Sequence, residues 1–254
     1  MKYYSFLFAV LLMLSACSDD TLEPLVLSSD GIDEDMTIHG PGNNAQFQKV
    51  DVITFQPAGG FGGDGNVLNE GDFFPPGSNS FAKMQRTNGY LRFFLHTTGL
   101  PPGAYTVWWV IFNKPLTCAE PNAAGGLCGG IGPDDLFLPS TSVVWATGGI
   151  VRADGVGNFN DRLRVGEMRD ETIILGSDLS SPLQYPLAAE VHLVIKYHGL
   201  PSRNPEILWA QTHTLLGNCD GEGGANSYDL PPPFGPYQCF DPQVAILPSK
   251  LEPI

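Results

Sequence analysis

From Phe47 onward, apolar residues come in alternating or continuous runs bounded by glycine and proline, which number 30 and 22 in the 254-residue chain. Short apolar runs between such breakers read as β-strands. The pattern predicts strands over 47–55, 80–86, 90–97, 104–112, 143–152, 157–165, 188–198, 206–216 and 242–247. Past the N-terminal segment, nothing sustains a 3.6-residue period with helix caps. Asp154-Gly155, between two strand-like runs, predicts a hairpin turn, because both residues tolerate positive φ. The stretches 56–79 and 217–241 read as Gly/Pro-rich loops, the second carrying Pro231-Pro232-Pro233. The expected fold is all-β, an antiparallel β-sandwich, with no internal repeat.

Two of these strands carry the candidate chemistry. Ala104 to Phe112, AYTVWWVIF, is apolar on both faces, so it is expected to be buried on both sides. Trp108 and Trp109 then point in opposite directions. One of them, near Tyr105 or Phe112, is the candidate for a ring that stacks on a sugar. In Glu190 to His198, EVHLVIKYH, alternation puts Val191, Leu193, Ile195 and Tyr197 on a core face, with Glu190, His192, Val194, Lys196 and His198 on the other. If loop 199–206 turned the chain symmetrically into a strand over 206–216, His213 would lie opposite His192. Glu190, His192 and His213, with His198 on the same side, would then make a polar patch of the kind Zn²⁺ or Cu²⁺ prefers. The same residues also suit a hydrogen-bonded sheet face without metal, and five histidines are no enrichment. No cofactor is otherwise expected.

The N-terminus supplies the cellular context. Lys2 precedes an apolar run from Phe6 to Leu14 that is too short to span a bilayer as a mature helix. Leu14-Ser15-Ala16-Cys17 resembles the lipobox of bacterial lipoproteins. The resemblance implies a signal peptide at 1–16, cleavage before Cys17, and acylation of that cysteine. An ordinary secretory cut after Ala16 is the alternative. Cleavage would leave 238 residues and take the net charge from −14 to −15, since the excised segment holds one lysine and no acid. Residues 17–44 read as an acidic disordered tether, with seven acids and no Lys or Arg over 18–44. The Asp30–Asp35 cluster lacks the alternating order of a calcium loop. Ser18-Asp19-Asp20 resembles acidic signals that carry some lipoproteins to the outer face of the outer membrane. Residues 45–254 are read as one sandwich domain.

Acidity argues against nucleic acid, whose phosphates need clustered cations. The expected membrane partner is reached through the lipid, leaving a surface glycan or a protein as the open partner. Four cysteines remain after Cys17. In an oxidising compartment their short loops favour Cys118–Cys128 and Cys219–Cys239. Spacings of ten and twenty residues do not match a structural zinc knuckle.

Several phrases together resemble a family of exported bacterial domains of unknown function, over roughly 47–247. They are GLPPGAYTVWWVIFN (99–113), ATGG (146–149), DGVGNF (154–159) with Arg162-Leu163, and AEVHLV (189–194) with His198-Gly199. Their order also resembles CHRD-type β-sandwiches, which implies an immunoglobulin-like or CHRD-like arrangement of strands. Neither resemblance carries a catalytic residue over. The chain lacks G-x-S-x-G, H-E-x-x-H and the phosphate-binding P-loop. Gly59–Gly65 lacks the lysine a phosphate loop needs. The acid pairs Asp134-Asp135 and Asp170-Glu171 give no way to flank a groove. The chain is therefore expected to act without catalysis, as a lipid-anchored outer-membrane or cell-surface binding or structural domain. A Zn or Cu site and a carbohydrate-binding module are the alternatives.

Overall fold

The alternation in the sequence is realised, among the described residues, as nine strands in two antiparallel sheets. The computed structural model describes residues 45–55, 74–119, 121–122, 126–129, 134–169, 181–215, 217, 219 and 239–250, with the backbone only at 134 and 137. All of them fall within one compact unit, Met36–Ile254. Cys17, the 17–44 tether, Gly59–Gly65, Asp170-Glu171 and Pro231–Pro233 lie outside the described residues.

The first sheet has the order β1 (Gln46–Asp51), β3 (Phe81–Arg86), β4 (Tyr90–Thr97), β7 (Gly157–Arg164). The second has the order β2 (Ile53–Thr54), β9 (Phe240–Leu247), β8 (Glu190–Tyr197), β5 (Gly103–Phe112), β6 (Thr141–Val151). The chain passes from the first sheet to the second at buried Val52, between β1 and β2. One core of buried residues draws on both sheets. Met84, Leu91, Phe93 and Leu163 of the first meet Val107, Trp109, Leu193 and Ala245 of the second. The Phe93 and Trp109 rings stand edge to face at 4.8 Å.

Polar clasps close both ends of this core. Arg86, fully buried at the end of β3, donates from Nη1 to the carbonyls of Pro186 and Ala189 at 3.0 and 2.7 Å. Its Nη2 donates to Leu247 O and Gln48 Oε1, both at 3.2 Å. At the far end of β4, Thr97 donates to Gln243 of β9, whose amide donates to the carbonyls of Phe74 and Thr98 at 2.9 and 3.1 Å. Both disulfides form as the spacing suggested, Cys118–Cys128 and Cys219–Cys239.

The structure departs from the sequence reading at three places. The strand expected over 206–216 is not found at residues 206–215; Pro205–His213 is a helix, α1. Its start carries Asn204 at the N-cap, accepting from Glu206 N at 2.9 Å, and Pro205 in the first turn. Asp154-Gly155 makes a turn, with Gly155 at φ 69°, but not a hairpin. β6 pairs with β5 and β7 with β4, so this turn carries the chain from one sheet to the other. The third concerns the tryptophans. Alternation puts Trp109 in the inner core and Trp108 in a second cluster on the outer face of β5, and both are buried, at 0 and 1 % exposure. Neither is available to stack on a sugar, because the outer face of the second sheet is covered by α1 and by Cys118, Leu127, Cys128 and Leu136. The expectation that β5 is buried on both sides holds at every position.

The Arg86 clasp yields a stability prediction. Lysine keeps the charge but has no fork to hold three strand-end carbonyls at once. Arg86→Lys is expected to cost about 3 kcal/mol, the scale of a broken buried charge network. Urea denaturation measures it; a loss under about 1 kcal/mol would show that the fork is dispensable.

Candidate functional site

The outer face of β8 is where the sequence placed its polar patch. Alternation is as expected, but the face is buried rather than wet. Glu190, with no exposure, accepts four hydrogen bonds. Its Oε2 takes Leu127 N at 2.7 Å, and its Oε1 takes Cys128 N at 3.2 Å, Asn122 Nδ2 at 3.1 Å and His192 Nε2 at 2.8 Å. The His192 ring also stands edge-on to Phe112 at 5.1 Å. Asp135 holds the same covering segment a second time, accepting from Ala119 N at 2.8 Å and Gly129 N at 3.0 Å. The Cys118–Cys128 bridge closes that segment, and Cys118, Leu127, Cys128 and Leu136 belong to the cluster around Trp108, Val110 and Phe112. Glu190 and His192 therefore fasten a lid to the sheet.

His213 does not join them. The cross-strand partners of His192 are Val110 and Ile246, on β5 and β9. His213 ends α1, with its ring stacked between Trp145 at 5.0 Å and Trp209 at 4.9 Å. A strand register over 206–216 was needed to bring it to His192, and the helix removes that register. The patch of Glu190, His192 and His213 is thus not assembled as a ligand set. His198 is also separate from them. It sits near Cys219 and Cys239, at 3.7 and 3.8 Å from their sulfurs, but those sulfurs are bonded to each other and offer no thiolate. The same holds for Cys118, Cys128 and Asp135, which also converge.

The buried His198 closes a second set of bonds. A carbonyl only accepts, so Nδ1 carries the proton donated to Gly217 O at 2.9 Å. Nε2 then accepts from Thr106 Oγ1 at 2.8 Å, and that hydroxyl in turn accepts from Trp108 Nε1 at 2.7 Å. Burial, and then the neighbouring Lys196 ammonium, push the His198 pKa down to about 3. Lys196 pairs with Asp241 at 3.4 Å, and burial raises the Asp241 carboxyl. Gln211 of α1 donates to the carbonyls of His198 and Leu200 at 2.9 and 2.8 Å, tying the helix to the end of β8.

The surface that sequence reasoning passed over is the outer face of the first sheet. Alternation in β1, β3, β4 and β7 turns Lys49, Lys83, Arg92 and Arg162 outward. The register sets Lys49 directly opposite Lys83, and Arg92 directly opposite Arg162. The rings on this face hold the cations. Lys49 and Lys83 lie over Phe81 at 5.0 and 5.3 Å, and Arg162 lies over Tyr90 at 4.1 Å. Phe47, at 51 % exposure, leaves its ring open to solvent. Asp51 is the one acid that these strands turn outward on this face. Strand alternation was the available signal, but it shows one strand at a time; the opposed cations appear only once the pairing is known.

Compared with protein-family models, curated proteins and solved structures, the chain finds no match in any of the three.

His198 generates a pH prediction. Unfolded, its imidazole takes a proton near 6.5; folded, not until about 3. Between those values the unfolded chain binds more protons, so this contribution to stability is full above about pH 6.5 and is lost as pH falls toward 3. The slope approaches about 1.4 kcal/mol per pH unit. His198→Gln keeps a donor and an acceptor but cannot take the proton. Denaturant titrations at several pH values should show the variant with a shallower acid slope than wild type, Asp241 and Lys196 being common to both. Parallel slopes would mean His198 is already protonated in the fold.

Proposed function

We propose that this protein is a lipid-anchored, exported β-sandwich of the bacterial outer envelope that works without catalysis, by holding out a rigid surface for a binding partner. The lipobox at Leu14–Cys17 and two disulfides in an otherwise ordinary core both suit an oxidising, extracytoplasmic setting. The resemblance to exported domains of unknown function agrees with it.

The observation that carries the non-catalytic reading is the use made of the buried polar groups. Both oxygens of Glu190 accept backbone or side-chain N–H bonds, both nitrogens of His198 are bonded, and Asp135 spans two backbone amides. A general base needs a lone pair directed at substrate, and a metal ligand needs one directed at the ion. These groups direct theirs at the chain that covers them. Binding, by contrast, needs only an accessible and well-ordered surface, and the outer face of the first sheet supplies one.

Two measurements test this reading. Cys17→Ser should abolish incorporation of labelled fatty acid and release the protein from the membrane fraction; retained label would overturn the anchoring. Elemental analysis of the purified full-length protein should find neither zinc nor copper at a stoichiometric level. One metal per chain that is lost in Glu190→Gln would replace the binding reading by the metal alternative.

A further inference from the structure

We infer that the outer face of the four-stranded sheet binds an acidic polysaccharide, through cations that the register sets in opposed pairs. The inference rests on the binding reading above and names the partner's chemistry.

The starting point is an arrangement that stability does not explain. Like charges directly opposite on neighbouring strands oppose folding. This face has two such pairs, Lys49 with Lys83 and Arg92 with Arg162. None of the four is in an ion pair among the described residues. Arg164 ends β7 on the same side, bringing the face to five of the chain's 13 Lys and Arg residues. The chain as a whole carries −14, with 27 acids available to neutralise or separate these cations, and these strands turn only Asp51 toward them. The rings of Phe81 and Tyr90 steady three of the four opposed cations rather than dispersing them. An anionic group seated between the members of a pair would convert each repulsion into two attractions.

The geometry selects the kind of anion. Paired strands lie about 4.8 Å apart and residues on one face recur about every 6.8 Å, so the two cation pairs, two strands and one row apart, have centres about 12 Å from each other. That spacing suits a ligand whose charges repeat once per sugar or per disaccharide. Nucleic acid offers a much denser row of phosphates, and the net charge of this chain opposes it. The other outward groups suit sugar as well. Asn158, Asn160 and Gln85 are amides for hydroxyl groups, and the open Phe47 ring adjoins the arginine row through Gln85. Amides and a free ring have no particular use against an acidic peptide or a lipid headgroup layer.

The test uses the full chain in neutral detergent and polygalacturonate as probe, with dextran, poly-glutamate and phosphatidylglycerol vesicles as comparisons. Binding is measured at low and high salt. Polygalacturonate should bind, weaken steeply with salt and outcompete poly-glutamate, while dextran should not bind. Lys83→Gln combined with Arg92→Gln removes one cation from each pair. It should weaken polygalacturonate binding at least 10-fold without lowering the melting temperature, because it also relieves both repulsions. A purely structural role would lower the melting temperature and leave binding alone. The inference is overturned if polygalacturonate does not bind, if the double variant binds like wild type, or if poly-glutamate or the vesicles bind as well as the polysaccharide. Fatty-acid labelling read in the same preparations separates the two readings. Lost binding with intact labelling refutes the polysaccharide alone, whereas absent labelling in the wild type refutes the anchored protein.

Discussion

The structure depends on one buried guanidinium. Two sheets that share an apolar core are free to slide unless something directional fixes their ends, because hydrophobic attraction has no preferred geometry. Arg86 supplies that direction. It projects from the first sheet and donates to Leu247 of β9 and to the two carbonyls just before β8, at Pro186 and Ala189. Burial lowers its pKa to about 10, with the Glu190 carboxylate opposing the shift, so the group stays charged near neutrality. Among the described residues its Nε finds no partner, a cost that the four bonds from the fork offset. At the other end of β4, the neutral Thr97–Gln243 pair does the corresponding work. With both ends fixed, the inner faces interlock as Phe93 against Trp109 rather than as a loose apolar contact.

Fixing the inner faces leaves the two outer faces to be treated differently. That of the second sheet is apolar at Trp108, Val110, Phe112, Val194 and Val244, and would be a large exposed patch if left bare. The chain spends its most chemically capable residues on closing it. Glu190 and Asp135 grip the covering segment through backbone N–H groups, a disulfide closes that segment, and His198 and Gln211 hold the return toward α1. The helix itself comes so close to β6 that a Cβ on Gly148 would lie 1.9 Å from Thr212 O. The outer face of the first sheet receives no such cover from the described residues, and its strands alternate between more and less buried positions along their length. The residues that look like a reaction centre in the sequence are thus the fastenings, and the face with the opposed cations is the one the described residues leave uncovered.

How much of this was legible depends on whether a feature is local. β4 falls on 90–97 as expected and β8 within 188–198, because alternation and bounding breakers are properties of a single strand. The disulfides were legible for the same reason, being short loops. The helix was misread because ILWAQTH alternates acceptably as a strand, while its deciding signal, Asn204-Pro205-Glu206, is a cap placed just before the periodic part. The hairpin was misread because Asp-Gly fixes the turn but not the strands' partners; the sheet change between β6 and β7 is a tertiary fact. The polar patch needed two strands in register, so one wrong element removed it. The opposed cations were invisible for the converse reason. Lys49, Lys83, Arg92 and Arg162 are spread over four strands and more than a hundred residues of sequence, and only pairing makes them neighbours.

The sheet is also what makes such pairs persistent. On a loop, like charges would swing apart at little cost, and their spacing would carry no information. Here β1, β3, β4 and β7 are laddered to one another, and the inward side chains Ala82, Met84, Leu91, Phe93 and Leu163 are locked in the core. A one-residue slip that separated the cations would turn those apolar residues into solvent, so the register is fixed by the core and not by the charges. The repulsion is small beside that burial energy, which is why the fold tolerates it. The pairs therefore stand at fixed distances on a surface that binding need not reorganise, and the core that holds the protein together also sets the spacing of the charges it presents.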